Sequence, residues 1–160
     1  MKLTKEKILE WLEEVKDPEI PVLSLIDLGV ITGVELDDHR VKVNMTPTFS
    51  GCPAMDYMRN DVIRVLKEKG VEEVEASVSF ETQWNSNMIS EKGKKALKEF
   101  GLAPPQTYEV IVDINMLTHV KCPFCDSENT ELKSPFGPTL CRSLHYCNNC
   151  LQAFEQFKPL

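Results

Sequence analysis

Apolar positions along the chain recur first at helical and then at strand spacing. Ile8, Leu9, Leu12 and Val15 share one helical face behind Thr4, a residue suited to cap the first turn, with Trp11 at the edge of the stripe. This predicts a helix from Thr4 to about Lys16. The stretch "DPEIPVLS" ends it, because Pro18 and Pro21 cannot sit in a helix interior. Leu28, Val30, Thr32, Val34 and Leu36 then alternate, as do Val41, Val43 and Met45, with "DDHR" between the two runs. That is the pattern of a β-hairpin with an aliphatic inner face.

Helical spacing returns over residues 53–69. Pro53 suits a first helical turn, Met55, Met58, Val62, Val65 and Leu66 form the stripe, and Gly70 stops it. "VEEVEASVSF" goes back to period two, with Val74, Ala76, Val78 and Phe80 on one face. A third helix is predicted from Ser90 to Phe100, closed by Gly101, and "GLAPPQ" marks a boundary. The order α-β-β-α-β-α describes an α+β domain over residues 1–105, a small sheet with helices on one face. Residues 106–160 then hold a β-prone run over 106–120 and a tail module.

Composition narrows the function classes. The formal charge of −7 and pI near 5.0 argue against a nucleic-acid binder, whose affinity rests on Lys and Arg. No apolar run is long enough for a transmembrane helix, and the acid-containing, amphipathic N-terminus differs from a signal peptide, so a cytoplasmic protein with no membrane attachment is expected. There, six cysteines point to metal or thiol chemistry rather than structural disulfides.

Five of those cysteines lie in the tail. Cys122-Pro-Phe-Cys125 and Cys147-Asn-Asn-Cys150 are two Cys-x-x-Cys turns separated by 21 residues, the spacing of a zinc ribbon. A module this short buries too little apolar surface to fold unaided, and a structural zinc supplies the missing free energy. A redox Cys-x-x-Cys and a rubredoxin-type iron site are the alternatives; the same four thiolates serve iron. The residue after the second cysteine of such a knuckle commonly takes a left-handed conformation. Here Asp126 and Leu151 stand there, and the leucine predicts a differently shaped second knuckle. Cys141 and His145 lie within the span, but four cysteines already complete a site, and Cys141 reads as a small buried hydrophobe. His39 and His119 receive no role. Phe136, Tyr146, Phe154 and Phe157 are candidate anchors for a partner or else the ribbon's own core.

Cys52 stands apart, in "TPTFSGCPAMDYM". If Pro53 is the first helical residue, Cys52 is the N-cap, where backbone N–H groups and the helix dipole favour thiolate; Asp56 works against this. A buried, inert thiol is the competing reading.

The stretches "DPEIPVLSLIDLGVITGVEL", "TPTFSGCPAM" and "SEKGKKALKEFGLAPP" resemble the SufT-like domain of iron–sulfur cluster assembly factors. The tail, with "S-x-FG-x-T-x-C" from Ser134 to Cys141 and "F-x-x-F-K-P" from Phe154 to Pro159, is similar to the family of D subunits of phenylacetyl-CoA 1,2-epoxidase, PaaD or PaaJ. The similarity spans the whole chain; Asp126, Pro138 and Gln152-Ala153 are its mild departures. The resemblance implies an accessory or maturation subunit in aerobic phenylacetate degradation, assisting assembly of an iron–sulfur or iron centre. It implies the oxygenase or reductase subunits as partners, and a homodimer is compatible with it. A non-catalytic zinc-ribbon adaptor bridging subunits is the alternative. The residues agree that the chain is not itself the enzyme: no Glu-x-x-His pair of the di-iron kind and no Gly-rich dinucleotide loop occur. On this resemblance Cys52 is the candidate ligand for iron or a transient cluster. One cysteine cannot hold a cluster that needs four ligands, so a second chain, a client, or Asp17 and Glu19 must help. Those two acids have the alternative role of ending the first helix.

Overall fold

The computed structural model describes residues 2–49, 51–109 and 115–159. The chain forms two compact units, one ending at Trp84 and one beginning at Asn85.

In the first unit, helix α1 (Lys5–Leu12) starts as expected, with Thr4 Oγ1 accepting from Lys7 N at 3.3 Å. It stops before Lys16 because the chain beyond it turns its backbone to another partner. Leu25 N donates to Val15 O at 3.0 Å and Asp17 N to Leu23 O at 2.9 Å, around an antiparallel bridge between Lys16 and Ser24. The next turn also differs from the alternating pattern. Ser24 Oγ accepts from Asp27 N and donates to Asp27 Oδ2, and Leu28 N reaches back to Ser24 O, so Leu28 lies in a turn. Strand β1 (Ile31–Asp37) therefore begins three residues later, after Gly29 at φ 80°. Asp38, at φ 42°, makes the two-residue turn into β2 (Arg40–Met45).

Helix α2 (Met55–Glu68) buries the predicted stripe of Met55, Met58, Val62, Val65 and Leu66. It ends at Gly70, φ 94°, where Val71 N bonds back to Leu66 O. Strand β3 (Glu73–Val78) follows and pairs parallel with β2, while β1 and β2 are antiparallel, giving the order β1-β2-β3. Ile8, Leu12, Val15, Leu23, Leu25, Val41, Val43, Met45, Val62 and Leu66 are fully buried. Phe80, expected on the inner face of β3, is 69% exposed. The strand ends at Val78, and Glu81 N bonds to Ser79 Oγ in a turn that carries Phe80 outward.

The second unit opens with a 3-10 turn at Ser86–Met88 and α3 (Glu91–Phe100), capped by Ser90 Oγ accepting from Gly93 N at 2.9 Å. The third helix is thus where the pattern put it, and it falls in the second compact unit. The reason is strand β4 (Leu102–Ala103), directly after it, which pairs with β7 (Ala153–Phe157). With β5 (Thr130–Ser134) and β6 (Arg142–Cys147) this makes a four-stranded sheet in the order β4-β7-β6-β5. Of the β-prone run expected over 106–120, residues 110–114 lie outside the described residues, and Asn115–Thr118 forms one helical turn, α4.

Candidate metal centre

The first knuckle precedes β5 and the second spans the β6–β7 connection, so the sheet brings the two Cys-x-x-Cys turns together. Their hydrogen bonds match. Asp126 N donates to Cys122 O and Leu151 N to Cys147 O, both at 2.9 Å; Cys122 N donates to Ser127 O at 3.0 Å and Cys147 N to Gln152 O at 2.9 Å. Asp126 and Leu151 take φ of 59° and 61°. The expectation of a differently shaped second knuckle is therefore corrected. Closing the turn requires the left-handed residue whatever its side chain, and Leu151 accepts the strain with its side chain 69% exposed.

The four Sγ atoms lie within 4.8 Å of one another, with Cys122–Cys150 and Cys125–Cys147 each at 3.6 Å. A tetrahedral ion with metal–sulfur bonds of about 2.3 Å needs sulfurs about 3.8 Å apart, so the donor set fits in number, chemistry and spacing. Cys122 and Cys147 are fully buried, in one core cluster with Ala103, Val120 and Phe154, while Cys125 and Cys150 reach the surface. Environment separates the thiols. The Asn149 side-chain amide lowers Cys125 to about 6, with help from the Ser127 N–H. Desolvation and neighbouring thiols raise Cys150 to about 12, and burial also raises Cys122. Metal binding requires all four as thiolates and offsets these differences.

Neither Cys141 nor His145 joins the group. Cys141 is buried, its sulfur 3.1 Å from Thr139 Oγ1. His145 is fully buried and stacked on Phe154, with ring centroids 5.3 Å apart, and Ser143 Oγ lies 2.8 Å from its Nε2. Burial lowers its pKa to about 4, so the ring is a neutral part of the core. Of the four candidate anchors, Phe154 and Phe157 are core, Tyr146 is half-buried and Phe136 is 64% exposed. The sequence pattern gave no sign of Phe124, half-exposed at the tip of the first knuckle. Its ring lies on Gly101, whose φ of 95° stops α3; a Cβ there would meet Phe124 Cε1 at 3.2 Å.

Cys52 is not an N-cap. Cys52-Pro53-Ala54-Met55 forms a turn closed by Met55 N donating to Cys52 O at 3.3 Å, and Ala54 precedes the first helical residue. Proline favours the second position of such a turn, which is why the helix starts two residues later than expected. The half-buried thiol sits upstream of the helix terminus, beside Gly51 at φ 78°, and Ser50 lies outside the described residues. Asp17 has a clear local role: its Oδ1 accepts from Glu19 N at 2.8 Å and Ile20 N at 2.9 Å, turning the chain beyond α1. Glu19 is exposed. Among the described residues, the four tail cysteines are the group of three or more metal-ligating side chains at ligand spacing; Cys52, Asp17 and Glu19 do not form another.

Two family models match, one described as the PaaD zinc beta ribbon domain over residues 112–158 and one as an iron–sulfur cluster assembly protein over residues 5–78. Over 152 residues the chain is 31% identical to an Escherichia coli protein described as a candidate D subunit of 1,2-phenylacetyl-CoA epoxidase, covering 95% of this chain and 91% of that protein. The chain belongs to the PaaD family. This PaaD-family chain also matches shorter proteins. It is 43% identical over 100 residues to an Fe-S protein maturation auxiliary factor of Porphyromonas gingivalis, covering 61% of this chain and 91% of that one. A crystal structure of a DUF59 domain from Bacillus anthracis superposes with a TM-score of 0.55 at 31% identity, covering 58% of this chain and 90% of that one. Among the described residues no helix is long and apolar enough to cross a membrane.

Proposed function

We propose that this PaaD-family chain is a cytoplasmic accessory protein that matures a metal centre of a phenylacetyl-CoA epoxidase complex and does not itself perform the oxidation. The observation that carries this reading is the division of its cysteines. Four sit at tetrahedral spacing in a ribbon, and one thiol stands alone at the foot of α2, in the part matching the iron–sulfur assembly model. Cys122, Cys125, Cys147 and Cys150 hold zinc, which cross-links the two knuckles; four protein ligands leave no open position for a substrate. Cys52 binds the cargo, iron or an iron–sulfur cluster, transiently through its thiolate. The remaining ligands come from a second copy, from the client, or from Glu19 and Asp17; the turn role of Asp17 leaves it the weaker of the two acids. Residues 1–84 carry all of the net negative charge, ten Lys and Arg against seventeen Asp and Glu, which favours a cationic cargo. The ribbon, with Phe124 and Leu151 exposed at its metal end, docks the oxygenase or reductase.

The test is anaerobic purification with zinc, iron and sulfide analysis, alone and with the epoxidase subunits, comparing wild type with Cys52→Ser. The expected result is one zinc per chain in both forms, with iron delivered only by wild type. Equal iron loading of the client by both forms would sink the role of Cys52 and leave the ribbon as a bridging adaptor.

A further inference from the structure

The two knuckles close with the same backbone bonds, and they differ in one side-chain hydrogen bond to sulfur. Backbone N–H groups of Phe124 and Cys125 donate to Cys122 Sγ, that of Ser127 to Cys125 Sγ, and that of Gln152 to Cys150 Sγ. Cys125 thus matches Cys150, each with a donor two residues on, and Phe124 matches Asn149. Asn149 Nδ2 reaches across to Cys125 Sγ at 3.5 Å. Phe124, a hydrocarbon, has nothing to offer Cys150 in return.

We propose that Asn149 locks Cys125 onto the metal, so that the centre opens in a fixed order with Cys150 leaving first. This rests on reading the four cysteines as a zinc site. A donor on a metal-bound sulfur withdraws electron density, making that thiolate less nucleophilic toward an electrophile and less basic toward a proton. Cys122 and Cys147 are fully buried, so attack is confined to the two ligands that reach solvent. Of those two, Cys125 carries the extra donor. Asn149 is therefore a positioning residue that gives a symmetric-looking site one labile edge, the edge at which metal enters or is withdrawn.

The experiment uses the full-length chain with Cys52→Ser, which leaves the buried Cys141 as the remaining thiol outside the ribbon site, loaded with zinc and checked by elemental analysis. It is treated with N-ethylmaleimide to less than one adduct per chain. Sulfur adds to the maleimide double bond, water supplies the proton to the neighbouring carbon, and the zinc–sulfur bond breaks, so adducts mapped by mass spectrometry report the order of opening. Cys150 adducts should exceed Cys125 adducts roughly fivefold, the scale of one modest hydrogen bond. Asn149→Ala should bring the ratio near one and shift the sulfur-to-metal charge-transfer band of the cobalt-substituted protein to lower energy. Phe124→Asn, which restores the missing donor, should slow reaction at Cys150. With zinc bound, first adducts at Cys125 in the Asn149-containing protein, or a ratio and band unmoved by Asn149→Ala, overturn the proposal even if that variant melts earlier. A chain that binds no zinc overturns the metal reading itself, and the ordered opening with it.

Discussion

The first unit is built on an aliphatic core, whereas the second combines a mixed apolar and polar interior with a cluster of four thiols. Residues 2–84 bury aliphatic side chains from α1, the sheet and α2 on one another, and their lone cysteine is peripheral to that core. The second unit buries Ser143, His145 and Gln156 on the inner positions of β6 and β7, beside Cys147. These polar side chains share the interior with Leu97, Leu102, Val120, Phe154 and Phe157, so apolar burial contributes less per buried residue than in the first unit. Its charges balance, eight Lys and Arg against eight Asp and Glu, so the net −7 belongs to the first unit. Cysteines therefore mean different things in the two halves. In the ribbon they share the core with Ala103, Val120 and Phe154; in the first unit the one thiol is half-buried, outside the aliphatic core.

The hardest test of that contrast is metal removal. Zinc supplies an apparent ~10–16 kcal/mol to small modules of this kind, as much as or more than an ordinary domain's whole stability. A strong chelator, or Cys122→Ser, should abolish amide protection in residues 115–159. Trp11 and Trp84 both lie in the first unit, and Trp84 Nε1 donates to Leu28 O at 2.9 Å with the ring 5% exposed. Tryptophan emission should accordingly stay unshifted on chelation. A red shift accompanying loss of the ribbon would show that the first unit also depends on the metal.

The reciprocal experiment acts on the aliphatic core. Leu66 is fully buried on α2, and Leu66→Ala should cost about 2–5 kcal/mol by cavity formation. Denaturant titration followed by tryptophan emission reads the loss, while zinc content should stay at one per chain. Loss of zinc from this variant would break the separation from the other side.

A smaller effect decides between two roles for Asp17. Its Oδ1 takes two backbone N–H bonds, and removing such an acceptor costs about 1–2 kcal/mol. Asp17→Ala should lower first-unit stability by that amount, and Asp17→Asn, which keeps the acceptor oxygen, should recover most of it. If iron binding falls in Asp17→Asn while stability holds, the carboxylate serves the cargo after all.

These contrasts follow what was legible in the sequence. The stripe of α2 and the hairpin strands β1 and β2 were readable because burial repeats at the period of the backbone. The pairing of the four cysteines was readable because tetrahedral coordination leaves a spacing. What escaped was set by individual hydrogen bonds. Leu28 alternates like a strand residue, yet Ser24 and Asp27 fold it into a turn. Pro53 suits a helix start equally as it suits the turn that displaces Cys52 from the N-cap. The packing of α3 with the tail depends on the two residues of β4, too short a run to carry a period. Asn149 carried no motif; only the folded knuckles bring its amide to the sulfur of the other turn.

The smallest predicted effect compares the knuckles with each other. Leu151 holds φ 61° with its side chain 69% exposed, so it bears left-handed strain and gains little burial in exchange. That strain is roughly 1–2 kcal/mol for an ordinary residue, and glycine removes it at the cost of a more flexible unfolded chain. Leu151→Gly should therefore raise ribbon stability by about 0.5–1 kcal/mol, measured by chelator competition at fixed zinc. Asp126→Gly should give nothing or a slight loss: aspartate tolerates the region, and the Asp126 carboxylate holds Lys98 Nζ at 2.5 Å. If both glycine variants gain equally, the knuckles are equivalent in strain and Lys98 adds nothing. If Leu151→Gly instead loses docking to the epoxidase subunits while gaining stability, the leucine is kept for its exposed surface, and the strain accompanies an apolar contact at the metal end of the ribbon.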